Sequence, residues 1–326
     1  MNCDQISRER HYNLRVSNSK KGKRISKAKA QRRFFTSGLL FLIYILIVTY
    51  FPPLVSRYLQ VIGSPLSGND GKPLILGVFY LVYVLSALIL FSIYAKANGV
   101  KRKDFMRPCH FGFLDYLKDA ILIISLLFVG IFLSSMVLNP LGFNDAFVAP
   151  IGMVQADSYL REPLFMFLFI GVTPLIEEFA FRGVLLRDLG RYGNRFGILA
   201  VSLLYAFAHT SVTEFMPAFI LSGCLCLMTL RYHNILPGVI VHITINALFL
   251  GSTFIPERYS WTIVATIGLL YAISVYLLLS RKFQRIYVSR QRNLWYTLRL
   301  FLTTPSVLLT VILMLVQSAF AYFLYR

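Results

Sequence analysis

The sequence predicts an all-α protein, a polytopic bundle of about nine membrane-spanning helices, or eight if one segment is re-entrant. Three observations carry this. The chain of 326 residues is 57% hydrophobic, with a mean hydropathy of +0.65. Charged residues make up only 14%, against about a quarter in soluble domains. The cations also alternate from one connection to the next, as they do in membrane proteins.

A helix needs about 20 mostly apolar residues to cross the hydrocarbon. Such runs fall at Thr36–Val55, Leu74–Ala95, Ala120–Leu138, Pro163–Glu178, Gly197–Ala208, Phe215–Leu230, Leu236–Leu250, Trp261–Leu279 and Leu300–Leu324, several middle ones short or broken by polar residues. With the N-terminus inside, even-numbered connections lie inside and should hold the Lys and Arg. After span two come Lys96, Lys101, Arg102, Lys103, Arg107 and Lys118. After span four come Arg182, Arg187, Arg191 and Arg195, and after span six Arg231. After span eight come Arg281, Lys282, Arg285, Arg290, Arg292 and Arg299. The odd connections hold few: Arg57 and Lys72, then Arg161, then none, then Arg258. A wrong span count would break that alternation, so the C-terminus is expected outside. Two stretches read as lying on the membrane. Arg281–Arg299 mixes cations with Phe283, Tyr287, Trp295 and Tyr296, as an interfacial helix does, and Asp104–Asp119 mixes aromatics with charge.

The net charge of +19 is uneven: residues 1–33 hold eleven cations against Asp4 and Glu9, a net +9. Directly before an apolar span, such a tail reads as a cytoplasmic anchor on anionic headgroups and not as a nucleic-acid arm. The expected organisation is a basic tail at 1–33 and a membrane domain at 34–326, with a polar-bearing core at 163–250. No cleavable signal is expected, because the first apolar run is as long as a full span. Cys3, Cys109, Cys224 and Cys226 make neither a disulfide framework nor a C-x-x-C pair, and read as inert thiols.

An ionisable residue at mid-membrane costs at least ~2.5–3.5 kcal/mol, so it usually faces a protein interior and has a task. Such residues concentrate between Pro163 and Leu250, in three clusters. In the first, Glu178 and Arg182 are four apart and share a helix face, acid before base. Glu177 points about 100° away at 3.6 residues per turn and has no partner on its own helix, so it can serve as a base. Read alone, both carboxylates also fit a cytoplasmic turn. In the second, Tyr205 sits one turn before His209. In the third, His242 and Asn246 align on one face of an apolar helix. They could hold the oxyanion formed when water attacks an amide, or simply hydrogen-bond between helices. The Gly190–Asn194 turn joins the first two helices, with Glu177 16 residues before Gly193 and His209 16 after it. Equal arms of a hairpin put that carboxylate and imidazole at similar depth, where they could activate water together.

At these residues the sequence resembles the CPBP family, named for CAAX proteases and bacteriocin processing. The family's pattern is E-E-x-x-x-R, then F-x-x-x-H, then H-x-x-x-N, on successive membrane helices. Here it reads Glu177-Glu178 to Arg182, Tyr205 to His209, and His242 to Asn246, with Tyr205 where Phe is usual. The resemblance covers about Pro163–Leu250. It implies a glutamate-type endopeptidase of membrane-associated or lipidated peptides. Glu177 would activate water with His209 as partner, His242 and Asn246 would hold the oxyanion, and Glu178 with Arg182 would support the first helix. Metal dependence has been entertained for the family, and Glu177, His209 and His242 would satisfy a zinc site on ligand count; no metal is expected here, because Glu and His suffice as bases and Asn246 is a poor zinc ligand.

Other membrane proteases are set aside. There is no H-E-x-x-H and no G-x-G-D, and Ser222-Gly223 lacks the Gly that a G-x-S-G serine motif would need at position 220, where Ile220 stands. A transporter would need polar residues beyond the middle spans. The rival that stands is a catalytically silent relative, a membrane scaffold or bacteriocin-immunity protein. The expected location is a bacterial plasma membrane with the N-terminus cytoplasmic.

Overall fold

The computed structural model describes residues 27–62, 72–108, 112–141, 163–209, 212–252, 254–279 and 293–324. Most of the basic tail, Cys3, Cys109 and residues 281–292 of the first surface-lying stretch fall outside them. Among the described residues every regular element is helical. The helices are α1 (Lys27–Val61), α2 (Lys72–Ala97), α3 (Phe113–Leu138), α4 (Pro163–Tyr192), α5 (Asn194–Ala208), α6 (Val212–Tyr232), α7 (Leu236–Ser252), α8 (Ser260–Leu279), α9 (Leu294–Leu302) and α10 (Pro305–Leu324).

All nine apolar runs are helical, but they are not nine equal spans. Among the described residues six helices are long and apolar enough to cross a membrane, or up to seven if α9 and α10, bent by 70° at their junction, count as one. The shorter apolar helices are α5 and α7. At 1.5 Å per residue they reach only ~22 and ~26 Å, less than the ~30 Å hydrocarbon.

Two expectations are corrected. Helix α4 does not stop at Glu178 but runs to Tyr192. Arg182 is therefore fully buried within a helix, and Arg187 reaches across to the Thr229 carbonyl at 3.3 Å. Only Arg191 and Arg195 remain near the turn. The stretch Asp104–Asp119 does not lie flat either: α3 starts at Phe113, and Asp119 is buried in the bundle. Helix α9 is amphipathic, with Trp295 and Tyr296 exposed while Leu298 and Phe301 are buried.

Helix α4 is the hub. It touches α2, α5, α6 and α7, while α1 packs on α2 and α10, and α8 packs on α3. One core runs along α1, α2, α4, α5 and α9 through Phe34, Phe41, Phe91, Phe181 and Phe196, and a second joins α3, α6 and α7 through Ile123, Leu225 and Val241. The outer faces are apolar: Leu81, Ile93, Phe132, Val264 and Leu279 are all exposed. Water would reject such a surface, whereas hydrocarbon accepts it, so the chain is an integral membrane protein.

Candidate active site

Helix α4 is not regular. It contains two wide, π-helical stretches, Leu168–Val172 and Glu178–Leu185. Such stretches are rare and often mark functional sites. The first one frees a carbonyl: the Thr173 amide bonds Leu168 instead of Phe169, and the Thr173 hydroxyl donates to Leu168 as well, at 3.1 Å. The Phe169 carbonyl left over is taken by Asn246 of α7, whose Nδ2 donates to it at 2.9 Å. An unmet carbonyl in a dry bundle is costly. This bond therefore locks α7 against α4 just above the glutamate pair.

Glu178 is wholly buried and forms an ion pair with Arg182 at 2.9 Å. The guanidinium lies over the Tyr205 ring, 4.6 Å from its centroid, a cation–π contact that compensates a charge removed from water. The same oxygen of Glu178 faces His242 Nδ1 at 3.1 Å. The carboxylate thus accepts the Nδ1 proton, fixes the ring, and turns Nε2 toward the other glutamate. Gly238, one turn before His242, makes room: a Cβ there would sit 3.3 Å from Glu178 Oε2.

Glu177 sits differently. Its Oε2 accepts a hydrogen bond from the Tyr205 hydroxyl at 2.8 Å, and its Oε1 accepts one from the Tyr83 hydroxyl of α2 at 3.2 Å. His242 Nε2 stands 3.8 Å from Oε2 and 3.5 Å from the Tyr205 hydroxyl. The Glu177 side chain keeps 17% of its surface open, whereas that of Glu178 keeps none.

The structure brings Glu177, Glu178, Arg182, Tyr205 and His242 into one continuous cluster, with Asn246 one turn further along α7. His209 closes α5 on the other face of Tyr205. Its Nδ1 meets the Tyr205 carbonyl at 2.9 Å and its ring lies 4.7 Å from the phenol ring. Among the described contacts, no hydrogen bond or ion pair joins His209 directly to Glu177. Tyr205 touches both, through its hydroxyl to Glu177 and its ring to His209, and the imidazole beside Glu177 is that of His242. Glu177, His209 and His242 do not fit a three-ligand cation site as they stand. Among the described residues no group of three His, Cys, Asp or Glu could hold a metal.

Sequence reasoning missed Tyr83, Gly238 and the Phe169 carbonyl. Tyr83 lies in an apolar span rich in tyrosine, with no local signal of a distant partner. Gly238 did carry a signal: it stands one turn before His242 on the same helix face.

The family model for type II CAAX prenyl endopeptidases of the Rce1-like kind matches residues 159–248, which run from the start of α4 nearly to the end of α7. No curated protein and no solved structure matches the chain. The matched segment is the part of the bundle that holds the paired glutamates, His209 and His242, and over this stretch, about a quarter of the chain, the sequence is similar to the Rce1-like domain of CPBP-type membrane proteases.

Proposed function

We propose that the chain is an intramembrane endopeptidase that cleaves membrane-associated or lipidated peptides with water activated by Glu177. The observation behind this reading is the state of that carboxylate. It is partly open and held by neutral phenols, and its neighbour His242 is oriented by Glu178. A carboxylate held by neutral phenols, with no arginine or lysine on it, can take a proton.

In this scheme Glu177 removes a proton from water as the water oxygen attacks the scissile carbonyl carbon. The carbonyl π electrons move to oxygen. His242, when protonated, donates from Nε2 to that oxyanion, and Nδ1 remains on Glu178. Asn246 has a second amide hydrogen beyond the one given to Phe169, which can face the same side. The C–N bond then breaks as the proton held by Glu177 passes to the leaving amine. Arg182 balances the buried charge of Glu178. His209 backs the Tyr205 ring and supports the water-activating side of the site. The cation-rich ends of the helices and the basic tail face anionic headgroups, with the N-terminus cytoplasmic.

The test uses purified protein in detergent micelles and a fluorogenic farnesylated CAAX peptide. Hydrolysis is expected, to disappear in Glu177→Gln and to persist in EDTA. A Glu177→Gln variant that cleaves as the parent does would sink the reading. Loss in EDTA restored by zinc would put a cation into the step. A cellular phenotype that survives Glu177→Gln would favour the scaffold.

A further inference from the structure

The matched segment begins at residue 159, yet the Glu177 carboxylate is completed by a side chain from well outside it. Tyr83 belongs to α2. Its hydroxyl donates to Oε1 of Glu177 at 3.2 Å, while Tyr205 of α5 donates to Oε2 at 2.8 Å. We propose that Tyr83 and Tyr205 are positioning residues, a two-phenol clamp that orients the Glu177 carboxylate for catalysis and makes α2 part of the active site. This rests on the reading of Glu177 as the base.

The chemistry favours phenols here. A carboxylate offers about four acceptor positions on its two oxygens. One phenol on each oxygen fixes the plane of the group and leaves roughly two positions for water. An arginine in the same place would fix it too, but its charge would oppose proton uptake. That is the arrangement around Glu178, which ion-pairs with Arg182. The two glutamates are adjacent in sequence, and their partners separate them: a cation for one, neutral donors for the other.

Both phenols are held rigidly. Tyr83 is 6% exposed and Tyr205 only 1%. The Tyr83 ring is flanked by Tyr44 and Tyr80, with centroids 6.2 and 6.3 Å away, and the Tyr205 ring is flanked by Phe181 at 5.0 Å and His209 at 4.7 Å. A side chain locked by such packing keeps its donor aimed without losing rotamer freedom at each turnover. Tyr205 also stands at the position where the family pattern has Phe. Its ring serves the packing, and its hydroxyl adds the second arm of the clamp and a link to His242 at 3.5 Å.

Tyr83→Phe, Tyr205→Phe and the double variant keep every ring and remove only the hydroxyls. Tyr80→Phe is the control. It packs on Tyr83, but no hydrogen bond joins it to Glu177 among the described residues. With the farnesylated peptide in micelles, each single variant is expected to lower kcat by about 10-fold, as loss of a hydrogen bond to a charged group does, with KM within about twofold. The double variant should fall further and Tyr80→Phe should not change. A second readout needs no turnover. In protein labelled with 13C-glutamate, the infrared carboxylate band that Glu177→Gln deletes should move in Tyr83→Phe and Tyr205→Phe and stay in Tyr80→Phe. If both variants leave the band in place, or raise KM with kcat intact, the clamp is overturned. If the parent cleaves no peptide while the band still moves, the clamp holds and only the assignment of Glu177 as a base fails.

Discussion

Two carboxylates inside this bundle, one buried and one partly open, have nearly the same company and opposite character. Asp119 of α3 accepts two bonds from Arg231 Nη1, at 2.6 and 2.8 Å, and one from the Tyr232 hydroxyl at 2.7 Å. Glu177 also accepts from tyrosine hydroxyls, one on each oxygen, but has no arginine or lysine. Around Asp119 charge and hydrogen-bonding capacity are both met, so the group fastens α3 to α6. Around Glu177 the hydrogen bonds are partly met and the charge is not, and the open side faces an imidazole. A cation converts a membrane carboxylate into a fastener. Neutral donors leave it reactive.

The sharpest way to break this comparison is to neutralise each acid in turn. Glu177→Gln should lower peptide hydrolysis by about 10²–10⁴-fold, the usual share of a general base. Its thermal midpoint in micelles should stay close to the parent's, since the Gln oxygen accepts from one phenol and its NH2 can donate to the hydroxyl oxygen of the other. Asp119→Asn should do the reverse. It strands Arg231 beside a neutral group, and breaking a buried pair costs about 3–5 kcal/mol. The midpoint should fall while the activity of the protein that remains folded is kept. Loss of activity from Asp119→Asn with no loss of stability would show that the two sites had been assigned the wrong way round.

A smaller effect tests the link between the site and the irregular helix beside it. Asn246→Ala removes the donor that meets the freed Phe169 carbonyl. An unmet buried acceptor costs about 1–3 kcal/mol. Thermal stability should drop by that amount, and activity should drop with it if the second amide hydrogen serves the oxyanion. An unchanged midpoint would mean that water or lipid-side relaxation meets the carbonyl, so that Asn246 does not lock α7 to α4.

Much of the site was legible because its residues violate the composition around them. Glu177, Glu178, Arg182, His242 and Asn246 are polar in apolar helices, and their spacing of four showed which shared a face. Apolar length showed where the helices lie but overstated the spans, nine against six or seven among the described residues. What could not be read came from two sources. The wide turns of α4 depend on tertiary partners such as Asn246, so spacing suggested an end at Glu178 where the helix in fact continues past Arg187. Contacts between distant segments left no local trace. Tyr83 is one tyrosine among several in α2, and Asp119 seemed to belong to a surface stretch because Arg231 is 112 residues away. The hairpin argument placed His209 at the depth of Glu177 but could not foresee that His242 would be the imidazole beside that carboxylate.

The smallest expected effect comes from Gly238, and it separates packing from chemistry most finely. In the middle of a helix Gly→Ala ordinarily stabilises by roughly 0.5–1 kcal/mol, and Gly238, the third residue of α7, would gain at most that. Here the new methyl would sit 3.3 Å from Glu178 Oε2 and 3.7 Å from Leu225 Cδ2. The first contact is tight by a few tenths of an ångström, and the second is ordinary. The leucine can stay, but the carboxylate must give, and it is the group that holds His242 Nδ1 at 3.1 Å. Misplacement on that scale at a reacting centre costs several-fold in rate. Gly238→Ala should therefore keep or slightly raise the thermal midpoint while kcat falls about fivefold. A fall in midpoint with kcat per folded molecule intact would mean that the glycine serves helix packing alone, and that the alignment of His242 tolerates a displaced Glu178.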